Sequence, residues 1–147
     1  MPKKLTLTMQ AYENLLAQLV DFEERRNLFI NLYFPEYNRQ REEFEELIDG
    51  YIGALDSVVK NVSFSNDSRN NFPFVCVNSE IEIEDIEEFE TFNYRLIVPE
   101  TINDATNCIT ILSPMGKALL CKKKGDTVSV NTPSGVYRYR IKSIKLE

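Results

Sequence analysis

The sequence predicts an α+β chain in two modules. Residues 1–62 read as an antiparallel helical hairpin of coiled-coil type, and residues 63–147 as a small antiparallel β-sheet unit with one short helix. Three observations predict this. Residues 37–58 step their apolar side chains by four and three. Pro35 interrupts two long helical patterns. Beyond residue 72, strict alternation and Gly/Pro turn signals replace the helical period.

Thr8 has an N-capping side chain, and the segment after it carries apolar residues at Tyr12, Leu16, Leu19, Ile30 and Tyr33, with a polar gap at Glu23 and Arg26. Pro35 removes an amide donor and clashes with the preceding turn, so the first helix is expected to stop before it. Proline also suits the first turn of a following helix. In the second segment Tyr37, Arg41, Phe44, Ile48, Tyr51, Leu55 and Val58 form a heptad seam in which only Arg41 is polar. Two seams joined by a tight break imply a hairpin, with arms of about 25 residues reaching about 37 Å. Its tip is crowded, because the stretch from Leu28 to Tyr37 places apolar side chains on more than one helix face. A two-helix hairpin buries one stripe per helix, so part of this tip is expected to be exposed or to meet a partner.

Residues 61–71 are polar and turn-rich, as a linker would be. "FPFVCVN", "EIEIE" and "FNYRLIVP" follow, rich in aromatic and β-branched residues, and read as strands. Glu80–Glu84 alternates as a strand with one wet face should, so the acids of 80–90 read as a solvated strand and loop rather than a metal site. Ser113 then caps a short helix with Pro114 at its first position. Ala118 and Leu119 give that helix an apolar face, with Met115 beside them, and Lys122, Lys123 and Lys124 suit its C-terminal end. Gly125-Asp126 turns into "TVSVNT", and Pro133-Ser134-Gly135 turns back into a strand whose exposed face carries Arg138, Arg140, Lys142 and Lys145.

Composition excludes several classes. The net charge of −6 argues against a general nucleic-acid binder, although residues 117–145 hold eight Lys/Arg against one acid. There is no histidine, and the three cysteines, Cys76, Cys108 and Cys121, lack metal-ligand spacing, so zinc and His-based catalysis are not expected. An odd cysteine count with no leader pattern fits a reducing cytoplasm. No apolar run approaches the roughly 20 residues needed to cross a bilayer.

From Leu112 onward, "LSPMGKALLCKKKGDTVSVNTPSGVYRYRIKSIKLE" resembles the C-terminal end of the bacterial transcript cleavage factors GreA and GreB. Their pattern there is Ser-Pro, a small Ala-Leu-Leu helix, Gly-Asp, alternating valines, Thr-Pro-x-Gly and a closing strand. "LTMQAYENLLAQL" is similar to the family's opening. The resemblance implies a helical hairpin joined to an FKBP-like domain. It also implies a partner, bacterial RNA polymerase. In the family the globular domain docks on a β′-subunit coiled coil beside the secondary channel, and the hairpin enters that channel. Carried over residue by residue, the docking positions are Leu112, Ser113, Pro114 and Met115. Contact with nucleic acid would then be indirect.

The family's cleavage activity rests on tip acids in a motif like Asp-Leu-Ser-Glu-Asn-Ala-Glu-Tyr, which help hold magnesium in the polymerase active site. Anchoring that motif on Glu36-Tyr37 puts Ile30 and Tyr33 where its two essential acids would stand. Glu36 is then the one acid at the tip, and Glu42, Glu43, Glu45 and Glu46 lie further down the second helix. The resemblance also implies a longer arm than the 28 residues between Thr8 and Glu36. These departures point toward Gre relatives such as Rnk, which keep the globular domain on a reduced hairpin.

The expectation is therefore a polymerase-binding regulator of elongation, not an enzyme. It would have no cofactor of its own and would meet magnesium only through the polymerase. Its tip residues are Phe29, Tyr33, Phe34, Glu36 and Tyr37. Two alternatives stand beside it: a cleavage-stimulating factor using Glu36 and the nearby acids, and a generic interaction module recruiting another protein through Phe29, Tyr33 and Phe34.

Overall fold

The structure, a computed structural model, describes residues 5–100 and 107–146. They form two compact units, Met1–Ser68 and Arg69–Glu147. The expected boundary at 62/63 falls six residues earlier than this division, because a strand follows the hairpin inside the first unit.

In the first unit, β1 (Leu5–Leu7) leads into α1 (Met9–Tyr33), followed by α2 (Arg39–Val59) and β2 (Val62–Phe64). At 1.5 Å per residue the helices run about 37 and about 31 Å. Thr8 caps α1 as expected, its side chain accepting from the Ala11 amide. The helix stops at Tyr33, ahead of Pro35. Pro35, however, does not enter the next helix. Asn38 caps α2 instead, accepting from the Arg41 amide at 3.1 Å.

The seam of α2 matches the heptad reading over Phe44, Ile48, Tyr51 and Leu55, all buried. Tyr37 departs from it, lying outside the helix and 89% exposed. The α1 seam differs more. Ala11, Leu15, Leu19, Phe22, Phe29 and Ile30 are buried, while Leu16 is exposed and Tyr12 and Tyr33 are half-buried. The helix carries apolar residues on two faces, and the ring of Tyr51 selects one of them by packing edge-on against Phe22 at 5.4 Å between centroids. The Tyr51 hydroxyl donates to Gln18 Oε1, so this buried phenol is satisfied.

The linker reading of residues 61–71 is corrected over its first residues. Val62–Phe64 pairs in parallel with Leu5–Leu7, and Ser65 N donates to Leu7 O at 3.0 Å. Tyr12 meets Phe64 edge-on at 4.9 Å, closing the open end of the hairpin.

In the second unit five strands run in the order β5-β4-β3-β7-β6. They are β3 (Glu80–Asp85), β4 (Thr91–Ile97), β5 (Cys108–Thr110), β6 (Thr127–Thr132) and β7 (Gly135–Lys145), with α3 (Pro114–Leu119) between β5 and β6. Only the β4–β5 pair is parallel. Ile81 and Ile83 face the core opposite Ile144 and Ile141, while Glu80 and Glu84 lie opposite Lys145 and Arg140 on the other face. A register shift leaves Lys142 as the extra residue of a bulge, which lets Ile141 and Ile144, three apart, share the buried face. Arg138, Arg140, Lys142 and Lys145 are exposed, as the alternation predicts.

Two expectations need correction here. "FPFVCVN" is not a strand. It makes one isolated bridge, Phe74 to Lys123, with Asn71 just before it bridging to Lys145, yet Phe72, Phe74, Val75, Cys76 and Val77 are buried. Its apolar residues fill the core as irregular chain, which a propensity reading cannot separate from a strand. The three lysines are likewise not at the end of α3. The helix ends at Leu119, Cys121 turns the chain in the left-handed region (φ 71°), and Lys122 O accepts from Val75 N at 2.8 Å.

Candidate functional site

Two features carry the residues singled out from the sequence: the turn that opens α3, and the tip of the hairpin. Each is described within its own unit.

The α3 turn is specified by backbone chemistry. Ser113 Oγ accepts from Gly116 N at 3.0 Å and donates to Thr110 O at 2.8 Å. Pro114 occupies the first turn, where a missing N–H costs nothing. Gly116 is buried so tightly that a Cβ there would stand 1.9 Å from Thr110 O and 2.8 Å from Thr110 C. Only glycine allows that approach. Ile111, Leu119 and Leu120 anchor the turn from beneath, so that Pro114 projects into solvent with Leu112, Ser113 and Met115 half-buried around it. The four expected docking positions thus lie consecutively on one turn held by buried neighbours.

The tip is specified by side chains. Phe44 of α2 stacks against Phe34 at 4.6 Å and Phe29 at 5.7 Å, and Phe29 also meets Tyr33 at 4.7 Å. Of the expected tip residues, Phe29 is therefore buried, Tyr33 and Phe34 are half-buried, and Glu36 and Tyr37 are exposed. Of the residues in the interaction-module reading, Phe29 is buried in the hairpin's own core, while Tyr33 and Phe34 pack against Phe29 and Phe44 and stay half-buried. Beside Tyr37, the apolar surface of the tip that faces solvent is Leu28 and Leu32, one turn apart on α1 and 62% and 61% exposed.

Sequence reasoning missed the residue that organises the tip. The Arg41 guanidinium donates to Phe34 O at 3.0 Å, Asn31 Oδ1 at 2.8 Å and Glu45 at 2.9 Å, and lies 4.3 Å from the centre of the Tyr37 ring. It ties the end of α1 and the connecting loop to α2. The signal was present: a lone charged residue at a seam position.

Among the described residues of the tip, Glu36 and Glu42 are exposed and two further glutamates are held by arginines. Glu45 pairs with Arg41 and Glu43 with Arg39. Ile30, where the cleavage motif would put an acid, is 1% exposed in the hairpin core. Among the described residues, no three His, Cys, Asp or Glu side chains are grouped to hold a metal ion. Lower on the hairpin, Arg26 joins α1 to α2 through Asp49 at 2.5 and 2.9 Å. Its hydrogen bond holds the Asp49 carboxyl below the usual carboxylate range, partly opposed by burial, with its charge adding a smaller lowering effect.

The family described as transcription elongation factor GreA/GreB, C-terminal, matches residues 70–146, more than half of the chain. The chain belongs to the GreA/GreB family. Among its Gre relatives is the transcription elongation factor GreA of Thermoanaerobacter pseudethanolicus, 30% identical over 110 residues that cover 75% of this chain and 69% of that protein. A GreA of Thermotoga sp. is 27% identical over 150 residues, covering 95% of this chain and 96% of that one, so the likeness takes in the hairpin as well. The solved GreA/GreB factor of Nitrosomonas europaea superposes with a TM-score of 0.55 at 22% identity, over 97% of this chain and 99% of that one. That likeness bears on the fold, which is the Gre arrangement of a helical hairpin followed by a curled sheet. Among the described residues, no helix is long and apolar enough to cross a membrane.

Proposed function

We propose that this Gre-family protein is a cytoplasmic regulator that binds bacterial RNA polymerase at the secondary channel and modulates elongation without stimulating transcript cleavage. An FKBP-like base would dock on the β′ subunit through Leu112, Ser113, Pro114 and Met115. The hairpin would enter the channel with Leu28, Leu32 and Tyr37 leading. One observation carries the reading. The tip positions that would hold magnesium-binding acids are a buried isoleucine and a ring-packed tyrosine, and two of the glutamates at the start of α2, Glu43 and Glu45, are paired with arginines. Hard divalent cations need several converging oxygens, and a lone exposed Glu36 supplies too few.

The test is co-purification with core RNA polymerase, repeated with Ser113→Ala/Pro114→Ala, and competition against an authentic cleavage factor. Binding that the double variant weakens, together with displacement of the cleavage factor, supports the reading. Absence of binding overturns it. Cleavage stimulation through Glu36 remains the second reading, favoured by relatives that are named GreA and align over nearly the whole chain.

A further inference from the structure

The core face of the five-stranded sheet carries aromatic side chains that the core does not fully cover. On β3 that face holds Ile81, Ile83 and Asp85, since residues two apart share a face. The pairing places Tyr94 opposite Ile81 and Phe92 opposite Ile83 on one side, and Tyr139 opposite Asp85 on the other. Tyr137 follows Tyr139 by two along β7, so it shares the face, and it lies opposite buried Val130 of β6. Ile81 and Ile83 are fully buried, whereas Phe92, Tyr94 and Tyr139 are half-buried and Tyr137 is 38% exposed.

These side chains meet. The Phe92 and Tyr94 rings stack with centroids 6.1 Å apart. Burial raises the Tyr139 pKa above the usual phenol range, and the nearby Asp85, Tyr94 and Tyr137 raise it further, so the three phenols and the carboxylate lie within electrostatic reach of one another. Asp85 is 7% exposed and is fixed in place, its Oδ1 accepting from the amides of Glu87 at 3.0 Å and Glu88 at 3.1 Å. Charge is segregated between the faces. Arg95, Arg138, Arg140 and Lys145 alternate onto the opposite face, and Lys142 is the exposed bulge residue. Among the described residues of these strands, the aromatic side is therefore left with an acid and no base.

We infer that Phe92, Tyr94, Tyr137 and Tyr139, with Asp85 among them, form a binding site for an arginine side chain presented by a partner protein. Aromatic faces carry a negative quadrupole and attract cations, and a buried carboxylate strengthens that preference. The same field repels phosphates and anionic lipid headgroups. A guanidinium suits the site better than an ammonium, because it stacks on rings and is more weakly hydrated. A protein side chain suits it better than a free amine, because small-molecule sites enclose most of their ligand and these rings are half-open. The site is independent of the turn at Ser113 and Pro114 and of the polymerase reading.

The test titrates the whole chain with a blocked Gly-Arg-Gly peptide, with its citrulline counterpart, which keeps the shape and lacks the charge, and with spermidine, while the tyrosine ring signals are followed by NMR. The arginine peptide is expected to shift the rings of Tyr94, Tyr137 and Tyr139 saturably and to bind about tenfold more tightly than the citrulline peptide. Tyr139→Leu keeps apolar bulk without the ring and should weaken arginine binding about threefold or more. Its melting temperature serves as the folding control, and Tyr94→Leu is the second variant should the first fail to fold. Equal affinity for the two peptides, or shifts that leave these three rings unmoved, overturns the inference. Spermidine binding more tightly than the arginine peptide overturns the protein source. Polymerase is absent from this experiment, so its failure leaves the proposed function standing.

Discussion

The α3 turn and the hairpin tip solve the same problem, holding a few residues out to solvent, by opposite means. At the turn, Ser113, Pro114 and Gly116 act through the backbone: a cap, a preset φ and a missing Cβ. At the tip, Arg41 and a stack of rings hold the chain through side chains that meet from distant positions. The difference teaches where a fold can change its chemistry. A backbone-specified turn tolerates few residue types and keeps its motif. A side-chain-specified tip can exchange acids for apolar groups while the arginine clamp maintains its shape.

Four variants would break or sharpen this contrast. The largest effect is expected from Gly116→Ala, where the new methyl meets backbone rather than a movable side chain. A loss of about 3 kcal/mol in urea unfolding is expected, at the upper end for overpacking. Arg41→Ala should cost about 2 kcal/mol, since it leaves Phe34 O and Asn31 without their charged donor. Arg41→Lys should recover less than half of that, as an ammonium cannot reproduce the fork. An Arg41→Ala variant as stable as wild type would mean the tip is held by its rings alone. Ser113→Ala removes one cap and should cost about 1 kcal/mol.

The smallest effect lies in the Arg26–Asp49 pair. Asp49 has a lower pKa folded than unfolded. Its contribution is therefore present above the unfolded value, near about pH 4, and is lost as pH falls through the folded one. Both side chains are partly exposed, so the contribution is discounted to about 0.5 kcal/mol. A double-mutant cycle with Arg26→Met and Asp49→Asn should show that coupling at pH 7 and a progressively smaller one as pH falls below about 4.

The same contrast explains what was legible in the sequence. Thr8, Pro35, Ser113-Pro114 and Gly125-Asp126 act on their immediate neighbours, and the structure places each as a cap, stop or turn. Alternation gave β3, β6 and β7, since a strand with one buried face repeats every two residues. Long-range choices were not legible. Which face of α1 meets α2 depends on Phe22 finding Tyr51, 29 positions away. The pairing of Val62–Phe64 with Leu5–Leu7 spans the whole hairpin. At the candidate sites, the cap and proline that open α3 could be read residue by residue. The tip could not, because burial of Phe29 and clamping by Arg41 exist only once the helices have met.

The central claim is that a Gre-type hairpin here reaches the polymerase without carboxylates to recruit magnesium. Stalled elongation complexes of bacterial RNA polymerase, incubated with the protein and Mg²⁺, test it most directly when transcript length is followed on a denaturing gel. The account predicts that the RNA keeps its length while the protein stays bound to the complex. Mg²⁺-dependent shortening that disappears in Glu36→Ala would contradict it.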